Sequence, residues 1–244
     1  MSQALIINPN TSASVTTLML DHARALAGDA ITLAGSTAAF GASYIASEAS
    51  YAIAGHAALD CWAREGGTAQ AVLIGCFGDP GLPALREVCP VPVVGLAEAA
   101  MLEAARHGRF AIVTGGPRWV PILHRLAVYA GVQDKLCDIR VVVRSGAELA
   151  ADRSGAVAEL AALCRQTAAE NRLDAIVLGG AALAGMGEEI ALLTGLPVID
   201  SVSAGVRALV SACSQQAAPQ PPDGAAYDGL SPELRLLLAP HPGA

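Results

Sequence analysis

Short uninterrupted apolar runs alternate along this chain with longer stretches in which apolar and small residues recur at helical spacing. The runs fall at residues 4–7, 30–33, 71–74, 91–94, 110–113, 139–143, 174–178 and 197–199. Runs of this length and character read as strands buried on both faces. The intervening pattern predicts helices over about 12–26, 45–64, 82–88, 96–107, 119–130, 147–171, 202–213 and 231–238, the sixth broken near Gly155. Two stretches carry no such pattern. Residues 36–44 are Gly/Ser-rich and read as a loop lining a cleft, and 214–229 are rich in Gln, Pro, Ala and Gly and read as a linker.

Strands alternating with helices argue for parallel sheets covered on both faces. The pattern also repeats. Ala71-Val72-Leu73-Ile74-Gly75-Cys76 matches Ala175-Ile176-Val177-Leu178-Gly179-Gly180, and Val91-Pro92-Val93-Val94 matches Leu196-Pro197-Val198-Ile199. Leu5-Ile6-Ile7-Asn8 matches Ala111-Ile112-Val113-Thr114. The expectation is an α/β protein of two pseudo-symmetric lobes facing across a cleft. The first lobe takes residues 1–98 with 206–244, and the second takes 99–205.

Composition narrows the field. The 244 residues are 53% hydrophobic and only 15% charged, so the chain buries a substantial core and is not disordered. A net charge of −7 without a basic cluster argues against a nucleic-acid partner. No apolar stretch is long enough to span a bilayer and no targeting segment is visible, so no membrane partner is expected. Six cysteines without a CxxC pair, and five histidines without metal-ligand spacing, give no metal site and no disulfide framework. A reducing cytoplasm is the expected compartment.

The chemistry concentrates at strand ends. In open α/β sheets ligands sit beyond the carboxyl ends of the strands. The run 71–74 ends in Gly75-Cys76-Phe77-Gly78-Asp79-Pro80-Gly81. That places the Cys76 thiol where a buried strand breaks into a turn. A free cysteine alone is most often an inert small hydrophobe; one in such a turn is a candidate acid, base or nucleophile. To act as base or nucleophile Cys76 would need a lowered pKa, which a nearby helix N-terminus can supply; its place in the Gly75-Cys76-Phe77-Gly78 turn is expected to make it the most reactive thiol. Asn8-Pro9-Asn10-Thr11-Ser12 closes the first strand with more capping residues than one helix start needs. Thr114-Gly115 and Gly179-Gly180-Ala181 close the equivalent strands of the second half. The Asn8 and Thr114 side chains, with backbone N–H groups at Phe77, Gly78, Gly180 and Ala181, are candidates to hold a carboxylate or developing oxyanion.

These motifs, with Pro92-Val93-Val94-Gly95, Val113-Thr114-Gly115-Gly116 and Pro197-Val198-Ile199-Asp200, resemble the aspartate/glutamate/hydantoin racemase superfamily over about residues 4–212. The Cys76 motif is particularly similar to hydantoin and allantoin racemases. The resemblance implies two Rossmann-like lobes, no cofactor and no metal. It also implies two cysteines on opposite faces of a small carbon acid, an amino acid, hydantoin or related compound. Cys76 is the implied catalytic residue; Asn8, Asn10, Phe77, Gly78, Thr114, Gly115, Gly179, Gly180 and Ala181 form the implied substrate site. The substrate is expected to be anionic or carbonyl-bearing and the protein a homo-oligomer. One departure stands out: Gly180 occupies the position of the second cysteine. The implied racemase therefore stands beside a one-cysteine decarboxylase, a maleate-type cis–trans isomerase and a non-catalytic binding protein.

Overall fold

The computed structural model describes residues 2–144, 146–220 and 225–239. The part of the expected 214–229 linker at 221–224 lies outside the described residues. Among those residues the chain forms two four-stranded parallel sheets of the same strand order. In the first, β1 (Ser2–Asn8) is flanked by β2 (Ile31–Thr37) and β3 (Ala71–Ile74), and β4 (Val93–Gly95) lies outside β3. In the second, β5 (Phe110–Gly115) is flanked by β6 (Leu136–Val142) and β7 (Ala175–Gly179), with β8 (Val198–Asp200) outside β7. The repeat seen in the sequence is thus a repeat of topology, with β1 and β3 equivalent to β5 and β7. Every residue of β3, β5 and β7 is buried, which is why those runs show no alternation.

The helices are α1 (Ala13–Ala27), α2 (Glu48–Glu65), α3 (Leu82–Val88), α4 (Leu96–His107), α5 (Trp119–Tyr129), α6 (Gly146–Ala151), α7 (Arg153–Glu170), α8 (Gly187–Thr194), α9 (Ser201–Ala212) and α10 (Pro232–Leu237). Several bounds differ from expectation for local reasons. β2 runs on to Thr37, inside the expected loop, because Asn8 pairs opposite Thr37 in the ladder. The 147–171 stretch breaks at Asp152, not Gly155, because the Asp152 carboxylate caps α7 by accepting the Gly155 N–H. α8 has no counterpart among the predicted helices, its short apolar pattern being bounded closely by Gly187 and Gly195.

Two helices cross between the lobes. α4 leaves β4 of the first sheet and packs on β5, β7 and β8 of the second. α9 leaves β8 of the second sheet and packs on β3 and β4 of the first, while α4 and α9 also pack on each other. The main hydrophobic core consequently runs through both sheets, from Ile6 and Leu73 to Ile112 and Val177.

Candidate active site

The carboxyl ends of the four inner strands, β1, β3, β5 and β7, meet around a cavity of about 600 Å³. Asn10 follows β1; Gly75, Cys76 and Phe77 follow β3; Thr114 and Gly115 end β5; Gly179 ends β7, and Gly180 to Leu183 follow it. Ser12, Ser14, Val15 and Leu18 come from the start of α1, Trp119 from α5 and Leu149 from α6. Ser43, Tyr44 and Ile45 come from the loop after β2. No motif in the sequence singles out these last residues individually. Among the described residues the lining contains no charged side chain. Nor does any group of three or more His, Cys, Asp or Glu among them form a candidate metal site.

Cys76 lines this cavity from the first lobe and is itself buried. Burial pushes its thiol pKa up, and the nearby Asp79 carboxylate pushes it further. This is the reverse of the lowering that a helix N-terminus would bring. The N-terminus of α4 reaches this turn, and Asp79 already occupies it. Asp79 Oδ1 accepts the Ala97 N–H at 2.9 Å and Oδ2 accepts the Glu98 N–H at 2.8 Å. The dipole therefore acts on a carboxylate before it can act on the thiol. Asp79 is fully buried, and desolvation outweighs the two hydrogen bonds, so its pKa is pushed up to about 7. The resting Cys76 is a neutral thiol.

The other expected site residues separate into those at the cavity and those behind it. Asn8 stands behind the wall. Its Nδ2 donates to Asn10 Oδ1, the Ser12 carbonyl and Thr16 Oγ1, each at 3.0 Å, and its Oδ1 accepts the Asn10 N–H. Its amide is fully engaged in shaping the turn that presents Asn10, so the structure does not offer it to a ligand. Gly78 also falls outside the lining. Its N–H donates to the Cys76 carbonyl at 2.8 Å, and a Cβ there would stand 2.4 Å from the Trp119 ring. Thr114 does face the cavity, but its hydroxyl proton goes to the Gly179 carbonyl at 2.7 Å. What Thr114 presents is an acceptor oxygen. The Gly180 N–H is likewise directed away, to Ser201 Oγ at 3.2 Å. The N–H groups of Cys76, Phe77, Ala181 and Ala182 have no partner among the described residues and remain as donors.

The floor of the cavity is an interlock. The Phe77 ring of the first lobe lies against Gly179 of the second, where a Cβ would stand 2.1 Å from ring carbon. The Trp119 ring of the second lobe lies in the same way against Gly78 of the first. Each lobe offers a bare glycine to the other's aromatic ring. Gly180 is different: a Cβ there would meet only the Leu183 side chain, at 3.6 Å. The space is open, but φ is +142°, a conformation that side-chain-bearing residues rarely adopt.

A profile of the Asp/Glu/Hydantoin racemases matches residues 5–209. The chain belongs to this family. It is 31% identical over 206 residues to a hydantoin racemase of Paenarthrobacter aurescens, covering 83% of this chain and 87% of that protein. Allantoin racemase from Klebsiella pneumoniae superposes with a TM-score of 0.87 at 31% identity, covering 96% of this chain and 99% of the other. An allantoin racemase from Pseudomonas fluorescens gives a TM-score of 0.85 at 27% identity, with 99% and 98% coverage. The protein is accordingly an isomerase, a racemase of the Asp/Glu/Hydantoin family, with the two-lobed fold of its relatives. These similarities do not favour a decarboxylase, a cis–trans isomerase or a non-catalytic binding protein. Among the described residues no helix is long and apolar enough to cross a membrane.

Proposed function

We propose that this racemase acts without a cofactor on an uncharged cyclic ureide, a 5-substituted hydantoin, and inverts its C5 centre through Cys76. The carrying observation is the absence of any charged side chain among the described residues lining the cavity. A free amino acid would bring an ammonium and one or two carboxylates, each costly to bury without a partner. A hydantoin ring brings only carbonyl oxygens and N–H groups. The N–H groups of Phe77, Ala181 and Ala182, without a partner among the described residues, would receive the carbonyls, and Thr114 Oγ1 can accept from a ring N–H. Of the two kinds of substrate expected from the sequence, this supports the carbonyl-bearing one. The names of the hydantoin and allantoin racemases above support the same class.

In the reaction Cys76, as thiolate, takes the C5 proton, and the C5–H electron pair moves onto the neighbouring carbonyl oxygen. The backbone donors stabilise that oxyanion more than the ground-state carbonyl. Reprotonation of C5 on the other face gives the mirror-image product. Phe77 and Trp119 close the floor against water, which strengthens every hydrogen bond to the developing charge. The test is chiral chromatography of 5-substituted hydantoins, aspartate and glutamate after incubation with the protein. Loss of optical purity in the hydantoins alone is expected. Racemisation of the free amino acids with inert hydantoins would refute the reading.

We also propose a homo-oligomer, on the strength of large apolar side chains left in solvent at Val143 and Leu192. Light scattering reporting a monomer would decide against it. Six free thiols support a reducing, cytoplasmic compartment on the same footing.

A further inference from the structure

On the hydantoin reading above, the substrate presents a second face to the cavity. Inversion needs an acid opposite Cys76, and Gly180 has no side chain to provide one. Thr114 gives its proton to Gly179. Ser12 and Ser14 bond to each other at 3.0 Å and lie at the N-terminus of α1, in the lobe of Cys76. Asn10 has an amide, which is no acid at ordinary pH, and its Oδ1 already accepts from Asn8 and Ser12. Ser43 carries an aliphatic alcohol, a much weaker acid than a phenol.

Tyr44 remains. It is the one phenol among the described lining residues, and its hydroxyl makes no hydrogen bond among them. It originates in the first lobe but reaches the second. Its hydroxyl stands 3.7 Å from where a Cβ would sit on Gly116, just beyond the end of β5. β5 lies directly beside β7, the strand that leads to Gly180. The loop carrying Tyr44 is held over the cavity by the Thr11 N–H donating to the Ala42 carbonyl at 3.1 Å. Tyr44 is also 39% exposed, so its proton can be renewed from solvent.

We propose that Tyr44 is the second catalytic residue and takes the place left by Gly180. Cys76 thiolate removes the C5 proton from one face, forming the S–H bond as the C5–H pair moves to the carbonyl oxygen. The enolate pair then returns to C5 and takes the Tyr44 proton on the opposite face, leaving tyrosinate. Water reprotonates the tyrosinate and the Cys76 thiol releases its proton, so atoms and charge balance over the cycle. In the reverse direction tyrosinate is the base and the Cys76 thiol the acid.

The experiment compares wild type, Tyr44→Phe and Cys76→Ala. It measures racemisation of each enantiomer of a 5-substituted hydantoin, and calorimetric binding of 5,5-dimethylhydantoin, which has no C5 proton. Tyr44→Phe is expected to slow racemisation in both directions by about 10²–10⁴-fold while binding of the unreactive hydantoin is unchanged. Racemisation at the wild-type rate would overturn the proposal. So would a loss of binding that matches the loss of rate, since Tyr44 would then be only a wall of the pocket. Wild type that neither binds nor racemises any hydantoin would overturn the substrate reading itself, and this inference with it.

Discussion

At the scale of single residues, Cys76 and Gly180 hold equivalent positions and have opposite characters. Cys76 is a thiol kept neutral by burial and by Asp79, so the basic form is scarce at neutral pH. The rate of steps in which Cys76 is the base should therefore climb about tenfold per pH unit through neutrality, and a kcat/KM profile against pH checks this. The same burial reverses the labelling pattern that the sequence suggests. Cys137 and Cys213 are only partly buried and should be alkylated first in the folded protein, with Cys76 slow. Peptide mapping of the alkylated protein reports the order. Gly180→Cys restores a second thiol into open space but demands φ +142° of a non-glycine residue. A backbone cost of about 1–3 kcal/mol is expected, visible as a lower denaturation midpoint.

The elements that matter are those that fix the turn after β3. The Asp79 carboxyl ties this turn to the first turn of α4, which belongs to the packing of the other sheet. Its folded pKa lies above the ordinary carboxylate value, so the folded state binds more protons than the unfolded one between about pH 4 and about 7. The sign follows directly: stability from this group is greatest below that window and declines as pH rises through it. Denaturant titrations of wild type should show this slope, and Asp79→Asn should flatten it. The glycine–aromatic interlock belongs to the same scale. Gly78→Ala drives a methyl into the buried Trp119 ring and should cost about 1–3 kcal/mol in chemical denaturation.

For the whole molecule, the exchange of α4 and α9 makes each lobe depend on chain from the other side. We propose that the lobes divide as 1–98 with 206–244 and 99–205, which puts both crossings inside these two helices. α10 then fastens the C-terminal part back to α2. Ser231 Oγ caps α10 by accepting the Leu234 N–H and donates to the buried Asp60 carboxylate, which also pairs with Arg64 at 2.8 Å. Leu234 is 1% exposed. Leu234→Ala should lower stability by about 2–5 kcal/mol yet leave kcat of the folded protein unaltered, because α10 contributes nothing to the cavity lining.

The apolar runs determined the two sheets, because strands buried on both faces must be apolar throughout, and the repeated runs determined that the sheets match. The turn signal after residue 74 likewise announced Cys76, since Gly75 to Gly81 break the apolar run and set the thiol at its end. Neighbouring positions looked equally promising and were sorted only by three-dimensional packing. Asn8 and Asn10 are both polar residues at one strand end, yet hydrogen-bonding turned the first inward and left the second at the cavity. Gly78 and Gly180 both read as backbone donors, and the Trp119 ring and the Ser201 hydroxyl, distant in sequence, engaged or covered them. The direction of the Cys76 shift was equally out of reach. It is set first by how deeply the folded chain buries the thiol, and then by Asp79, which takes the α4 N-terminus for itself only once the chain has folded. Tyr44 lay in a stretch whose side chains carry no periodic signal, and only the approach of that loop to the end of β5 brings its hydroxyl to the second lobe.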